Sequence, residues 1–127
     1  MLFRSNNKGI CLGHLAKYCD ALDCFNKAIQ LKPDYSKAYF NKGNCLEFLC
    51  NYEAALASYE NAIKYNPCEA ESYVKKGICL ENMRRFKEAL SCYDMALSIR
   101  PELELAHNNR ASLTSLIKTE KIGRAHV

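Results

Sequence analysis

Tryptophan is absent from this chain of 127 residues, and proline and glycine are scarce, at three and five. So few chain-breaking residues exclude collagen-like and low-complexity classes and leave room for long regular elements. Long hydrophobic runs are also missing. The apolar stretches are only a few residues long, far short of the roughly 20 needed to cross a bilayer, so no membrane partner is expected. Met1 to Phe3 are followed at once by Arg4, Ser5, Asn6, Asn7 and Lys8, which leaves no signal-peptide core, and a cytoplasmic location is the expectation. Charge of one sign is lacking as well. The formal net charge is +4, with Lys and Arg interleaved among acids along the whole chain, so no nucleic-acid partner is expected. GxGxxG, GxxxxGK, GxSxG and HExxH do not occur, and the acids are scattered. The chain is therefore expected not to be an enzyme, with no catalytic residue and no cofactor.

What is present is a period. Pro33, Pro67 and Pro101 lie 34 residues apart, and stacking the chain at that spacing aligns Gly9, Gly43 and Gly77. The same stacking aligns Leu12, Leu46 and Leu80; Tyr18, Tyr52 and Phe86; Ala21, Ala55 and Ala89; Phe25, Tyr59 and Tyr93; and Ala28, Ala62 and Ala96. Internal repetition at this length marks stacked supersecondary units. Within a unit, Tyr39, Gly43 and Leu46 are spaced i, i+4, i+7 and share one face of a first helix, while Ala55, Tyr59, Ala62 and Ile63 share a face of a second. Small residues let two helix backbones approach, and the neighbouring ring fills the space beside them. Asn51 is a good N-cap, Asp20, Glu53 and Glu88 favour the first turn of each second helix, and proline ends it. The spacing predicts helices over 3–15, 18–31, 36–49, 52–65, 70–83, 86–99 and 103–120.

Eight cysteines fall into this scheme. Cys11, Cys45 and Cys79 share one column and Cys24 and Cys92 another, so equivalents are about 10 Å or more apart on successive hairpins, beyond disulfide reach. They are expected to act as small buried hydrophobes. A zinc site would need CxxC pairs or nearby histidines, and none is present, so no metal is expected.

The run Tyr39, Gly43, Leu46, Tyr52, Ala55, Tyr59, Ala62, Pro67 resembles the tetratricopeptide repeat family, over residues 2 to about 120. The resemblance implies an all-α fold: a right-handed α-α superhelix of three helical-hairpin repeats, about 2–35, 36–69 and 70–103, plus a C-terminal helix over 104–120. Ser5 departs from the Tyr39 and Tyr73 column, and Lys8, Lys42 and Lys76 replace an aliphatic residue. His107 and Ala111 begin a fourth unit in the Tyr39 and Gly43 columns, but the pattern fades at Thr114. The last six residues, IGRAHV, match the translation of a short-read sequencing adaptor, and Lys121 fits the codon before it. Residues 121–127 are therefore expected to be a non-native tail, with the gene product continuing beyond. In that case Leu113, Leu116 and Ile117 are left without a covering helix, although the chain is still expected to be a monomer or weakly self-associating.

The resemblance also implies a function, a protein-interaction scaffold that holds an extended peptide or partner protein along the inner face of its first helices. On the central unit Lys37, Phe40, Asn41, Asn44 and Phe48 lie opposite the packed face. Asn7, Asn41 and Asn109 fall in one column that Lys75 completes, a row of amides suited to a peptide backbone. Phe3, Ile10, Phe40, Val74 and Ile78 add apolar contact. A carboxylate clamp for chaperone tails is not expected: its positions hold Asn6, Ile10, Asn41, Glu71 and Lys75, where Ile10 cannot donate a hydrogen bond and Glu71 repels a carboxylate. The alternative is an accessory array of a larger enzyme such as a glycosyltransferase.

Overall fold

The computed structural model describes the backbone of residues 2–15 and 17–125, and side chains as far as Glu120. Among these residues every regular element is a helix: α1 (Leu2–His14), α2 (Tyr18–Leu31), α3 (Ser36–Phe48), α4 (Tyr52–Tyr65), α5 (Ala70–Asn82), α6 (Phe86–Ile99) and α7 (Glu104–Ala125). The helices expected from the sequence agree to within a residue at each end, except that α7 runs on through Ala125. His126 and Val127, the last of the expected tail, lie outside the described residues.

The chain divides into two compact units, one up to Cys68 and one from Glu69 on. In the first, α1 packs on α2, α2 on α3 and α3 on α4. In the second, α5 packs on α6 and α6 on α7, which also touches α5.

Each hairpin is closed by one contact. A Cβ added to Gly9 would lie 2.6 Å from the Phe25 ring, and one added to Gly43 or Gly77 would lie 2.6 Å from the ring of Tyr59 or Tyr93. The rings therefore rest directly on the backbone of the preceding helix, where only glycine admits them. Ala21, Phe25, Ala28, Ala55, Tyr59, Ala62, Ala89, Tyr93 and Ala96 are all at most 1% exposed. The aromatic columns of the sequence are thus the core, and each ring contributes about 1.5–3 kcal/mol by burial.

Helix ends repeat with the same period. Cys50 (φ 60°) and Arg84 (φ 59°) turn left-handed at the ends of α3 and α5. The Asn51 N–H then reaches back to the Leu46 carbonyl at 2.8 Å and the Arg85 N–H to the Leu80 carbonyl at 2.9 Å, closing the Schellman arrangement that satisfies the last carbonyls. Asn51 caps α4 by accepting from the Ala54 N–H, whereas Lys17 and Arg85 in the same column make no side-chain cap. At the other turn the Tyr39 hydroxyl donates to the Pro33 carbonyl at 2.9 Å, and His107 Nε2 meets the Pro101 carbonyl at 2.7 Å. His107 thus performs the task of its column without the column's usual tyrosine.

Two expectations are corrected. Leu113 is 1% exposed and belongs to the core, because α7 lies on α6 with this residue turned inward; Ile117 is half-buried, and of the three only Leu116 stays open. The cysteines are not uniformly buried either: Cys24, Cys45, Cys79 and Cys92 are, but Cys11, Cys19, Cys50 and Cys68 are exposed. Cys45 and Cys11 share a column and differ in what covers them. Cys45 packs against Ala21 and Phe25 of the preceding helix, and among the described residues α1 has no preceding helix.

Glycine at position 50 should stabilise the protein, because a Cβ in the left-handed region costs about 1–2 kcal/mol and glycine's extra unfolded freedom offsets only part of that. We expect Cys50→Gly to add about 0.5–1 kcal/mol in urea denaturation. Burial pushes the Cys45 thiol from its ordinary 9.0 up to about 11. The unfolded thiol ionises first, so this group leaves stability intact below pH 9.0 and erodes it as pH rises toward about 11. Cys45→Ala should flatten that decline in a melting series, and a thiol reagent at pH near 8 should label Cys45 more slowly than Cys19, Cys50 or Cys68.

Candidate functional site

The inner stripe of α3 begins at Lys37, exposed, and passes through Phe40, Asn41 and Asn44, all half-buried, to Phe48, which is 66% exposed. Their spacing follows from the opposite face being committed to Gly43 and Leu46 in the core. From Phe40 onward each side chain on this stripe has a neighbour. Phe48 stacks on Tyr18 of α2 at 5.0 Å between ring centroids, and Phe40 meets the edge of Tyr59 at 5.9 Å. The Tyr59 hydroxyl lies 2.8 Å from Asn44 Oδ1 and 2.8 Å from Glu47 Oε2, and its single proton serves one of them at a time.

Asn41 Nδ2 donates to Asn6 Oδ1 at 3.3 Å, and Asn6 is 5% exposed. Asn7, one repeat before Asn41, is exposed. Asn41 keeps its second N–H and its carbonyl oxygen for other partners.

In the second unit Lys75, Ile78 and Asn109 are half-buried. Val74 is 1% exposed, so it packs in the core and offers a ligand no surface, contrary to its expected place among the apolar contacts. Val74 stands one repeat before Asn108 and two after Asn6. Where α1 presents the Asn6 carbonyl to Asn41, α5 therefore presents an aliphatic side chain. Asn109 Nδ2 is buried and has no hydrogen-bond partner.

A cavity of about 380 Å³ opens in the first unit, lined by Ile10, Gly13 and His14 of α1, Tyr18 and Phe25 of α2, and Asn41, Asn44, Cys45 and Phe48 of α3. It joins Ile10, Asn41, Asn44 and Phe48 from the sequence-derived set. Gly13, His14, Tyr18 and Phe25 were missed, although a signal existed: Gly13 shares a column with Glu47 and Glu81. Among the described residues no group of three His, Cys, Asp or Glu could hold a metal ion, and no helix is long and apolar enough to cross a membrane.

A family model described as Tetratricopeptide repeat matches residues 36–67 and 70–103. Among solved structures, the first TPR of Spaghetti (RPAP3) bound to the HSP90 peptide SRMEEVD is similar at 20% identity and a TM-score of 0.89, covering 92% of this chain and 93% of that one. The first TPR domain of human RPAP3 gives 20% identity and 0.90, over 95% of each chain. The Sgt2 TPR domain of Aspergillus fumigatus gives 15% and 0.91, over 97% of this chain and 83% of that one. Comparison with curated protein sequences gave no match. At these identities the likenesses establish the fold, and the peptide-bound relative lends no support to the expected exclusion of a carboxylate clamp. With the family model covering more than half of its residues and the Gly–aromatic closure repeated in every hairpin, the chain belongs to the tetratricopeptide repeat family.

Proposed function

We propose that the chain is an interaction scaffold that holds an extended peptide on the inner face of its first helices, each unit offering its own amides. Asn41 and Asn44 serve in the first unit, Asn109 with Lys75 in the second, and Phe40 and Ile78 add apolar contact beside them. The observation that carries this reading is Asn109 Nδ2, a buried donor without a partner that a peptide carbonyl would satisfy. Relatives of this fold include one bound to a peptide. Val74 drops out of the set because it lies in the core, and Asn7, exposed in the same column as Asn41, stays in it.

The preferred ligand in this reading is neutral instead of acidic. Ile10 has no hydrogen-bonding group, the Asn6 oxygen already accepts from Asn41, and the Glu71 carboxylate would face a ligand carboxylate. Glu71 sits 3.7 Å from Arg100, an exposed pair that screens it only weakly. Eight cysteines with no disulfide among them suit a reducing compartment, which favours the cytoplasm. The enzyme-linked alternative has no support in the comparisons.

A displayed library of random peptides panned on the chain should enrich ligands, and these should bind more tightly than SRMEEVD in a fluorescence anisotropy titration. Asn109→Ala should weaken them about fivefold, the equivalent of about 1 kcal/mol for one hydrogen bond. Its melting temperature should not fall, because the amide removed had no partner. Asn41→Ala should lower both affinity and stability, since it also strands the buried Asn6 oxygen. Unchanged affinity in both variants would contradict the reading.

A further inference from the structure

Two of the three hairpins carry a polar latch beside the glycine seat. The Tyr59 hydroxyl meets Glu47 at 2.8 Å, and one repeat later the Tyr93 hydroxyl donates to Glu81 at 2.6 Å. In the first hairpin the same two columns hold Phe25 and Gly13, so the hydroxyl and the carboxylate are removed together from one place. Among the described residues nothing fills that place. A Cβ built on Gly13 would meet no atom within 4 Å, and the space is continuous with the cavity of about 380 Å³.

We propose that this vacancy is a pocket for one large apolar side chain, leucine or phenylalanine in kind, of the peptide that the scaffold binds. The proposal rests on the peptide reading above and adds the feature that would select among peptides. The pocket's size suits it, since an enclosed hole of about 150 Å³ already accepts benzene. Its walls are the Ile10 side chain, the Phe25 ring and the Phe48 ring stacked on Tyr18. Its lining suits a neutral occupant: His14 is its one basic residue, no carboxylate, lysine or arginine lines it, and the Cys45 thiol stays protonated because burial pushes its pKa up to about 11. The Asn41 and Asn44 amides also line it and can meet the backbone flanking an inserted side chain.

The test uses the full chain and capped single amino acids as probes, followed by proton–nitrogen correlation spectra. N-acetyl-leucine methylamide and N-acetyl-phenylalanine methylamide should shift the Ile10, Gly13 and Asn44 amides at least tenfold more tightly than the alanine and glutamate analogues. The double variant Gly13→Glu/Phe25→Tyr installs the latch of the other hairpins, so it should fold, melt no lower than the parent, and lose probe binding at least tenfold. Gly13→Met fills the pocket without the latch and should lose binding likewise. Equal binding of leucine and alanine probes, or probe binding that survives either folded variant, would overturn the pocket. If peptides from the library still depend on Asn109 while the probes fail, the pocket falls and the scaffold reading stands. If the probes bind and no peptide is enriched, the reverse holds.

Discussion

The bare backbone of a glycine under an aromatic ring is the contact on which each hairpin depends. A helix pair can bring its axes close only where one partner lacks a side chain, and Gly9, Gly43 and Gly77 provide that opening at the same place in α1, α3 and α5. Phe25, Tyr59 and Tyr93 then occupy it and are fully covered. The alanines one turn away on the second helix, such as Ala55 and Ala62 around Tyr59, let that ring sit flush. With the axes so fixed, the candidate ligand contacts of α3 lie on the stripe opposite Gly43 and Leu46.

The three seats are alike in geometry and unlike in chemistry. Two rings end in a hydroxyl tied to a glutamate, which turns a packing contact into a fixed one, since a buried hydroxyl left unpaired would cost about 1–3 kcal/mol. The first ring has no hydroxyl, and the residue that would answer it is a glycine. The two losses are mutually consistent: no polar group is stranded, and the same change that removes the latch opens the cavity. A repeat that gives up a stabilising interaction without leaving an unsatisfied atom is the arrangement expected of a site kept open.

The periodic part of this architecture is legible in the chain: the columns give the helix pairs, and their resemblance to the tetratricopeptide repeat implies the fold. Helix bounds followed from the same columns. The departures were harder to read for physical reasons. Column membership says which residues are equivalent, not which ones touch, so the Asn41–Asn6 hydrogen bond is not legible in the columns. Val74 was assigned to the open face, one position from the buried stripe, and a single residue step on a helix decides between the two. Burial also depends on what lies next door. Cys11 and Cys45 are identical in pattern and opposite in exposure, because among the described residues Cys45 has the preceding α2 to cover it and Cys11 has no such helix. The cavity went unread because it arises from a pair of absences, Gly13 and the missing hydroxyl of Phe25, whose meaning appears only once the latch is seen in the other hairpins.

The most direct test of the glycine seat is a comparison of two glycine-to-alanine substitutions by chemical denaturation. Both gain about 1 kcal/mol of helix propensity. At Gly43 the added methyl would press on a buried Tyr59 ring with nowhere to move, a cost of about 1–3 kcal/mol, whereas at Gly13 it meets open space. The account predicts opposite signs: Gly13→Ala more stable than the parent and Gly43→Ala less stable. Stabilisation by both would contradict it.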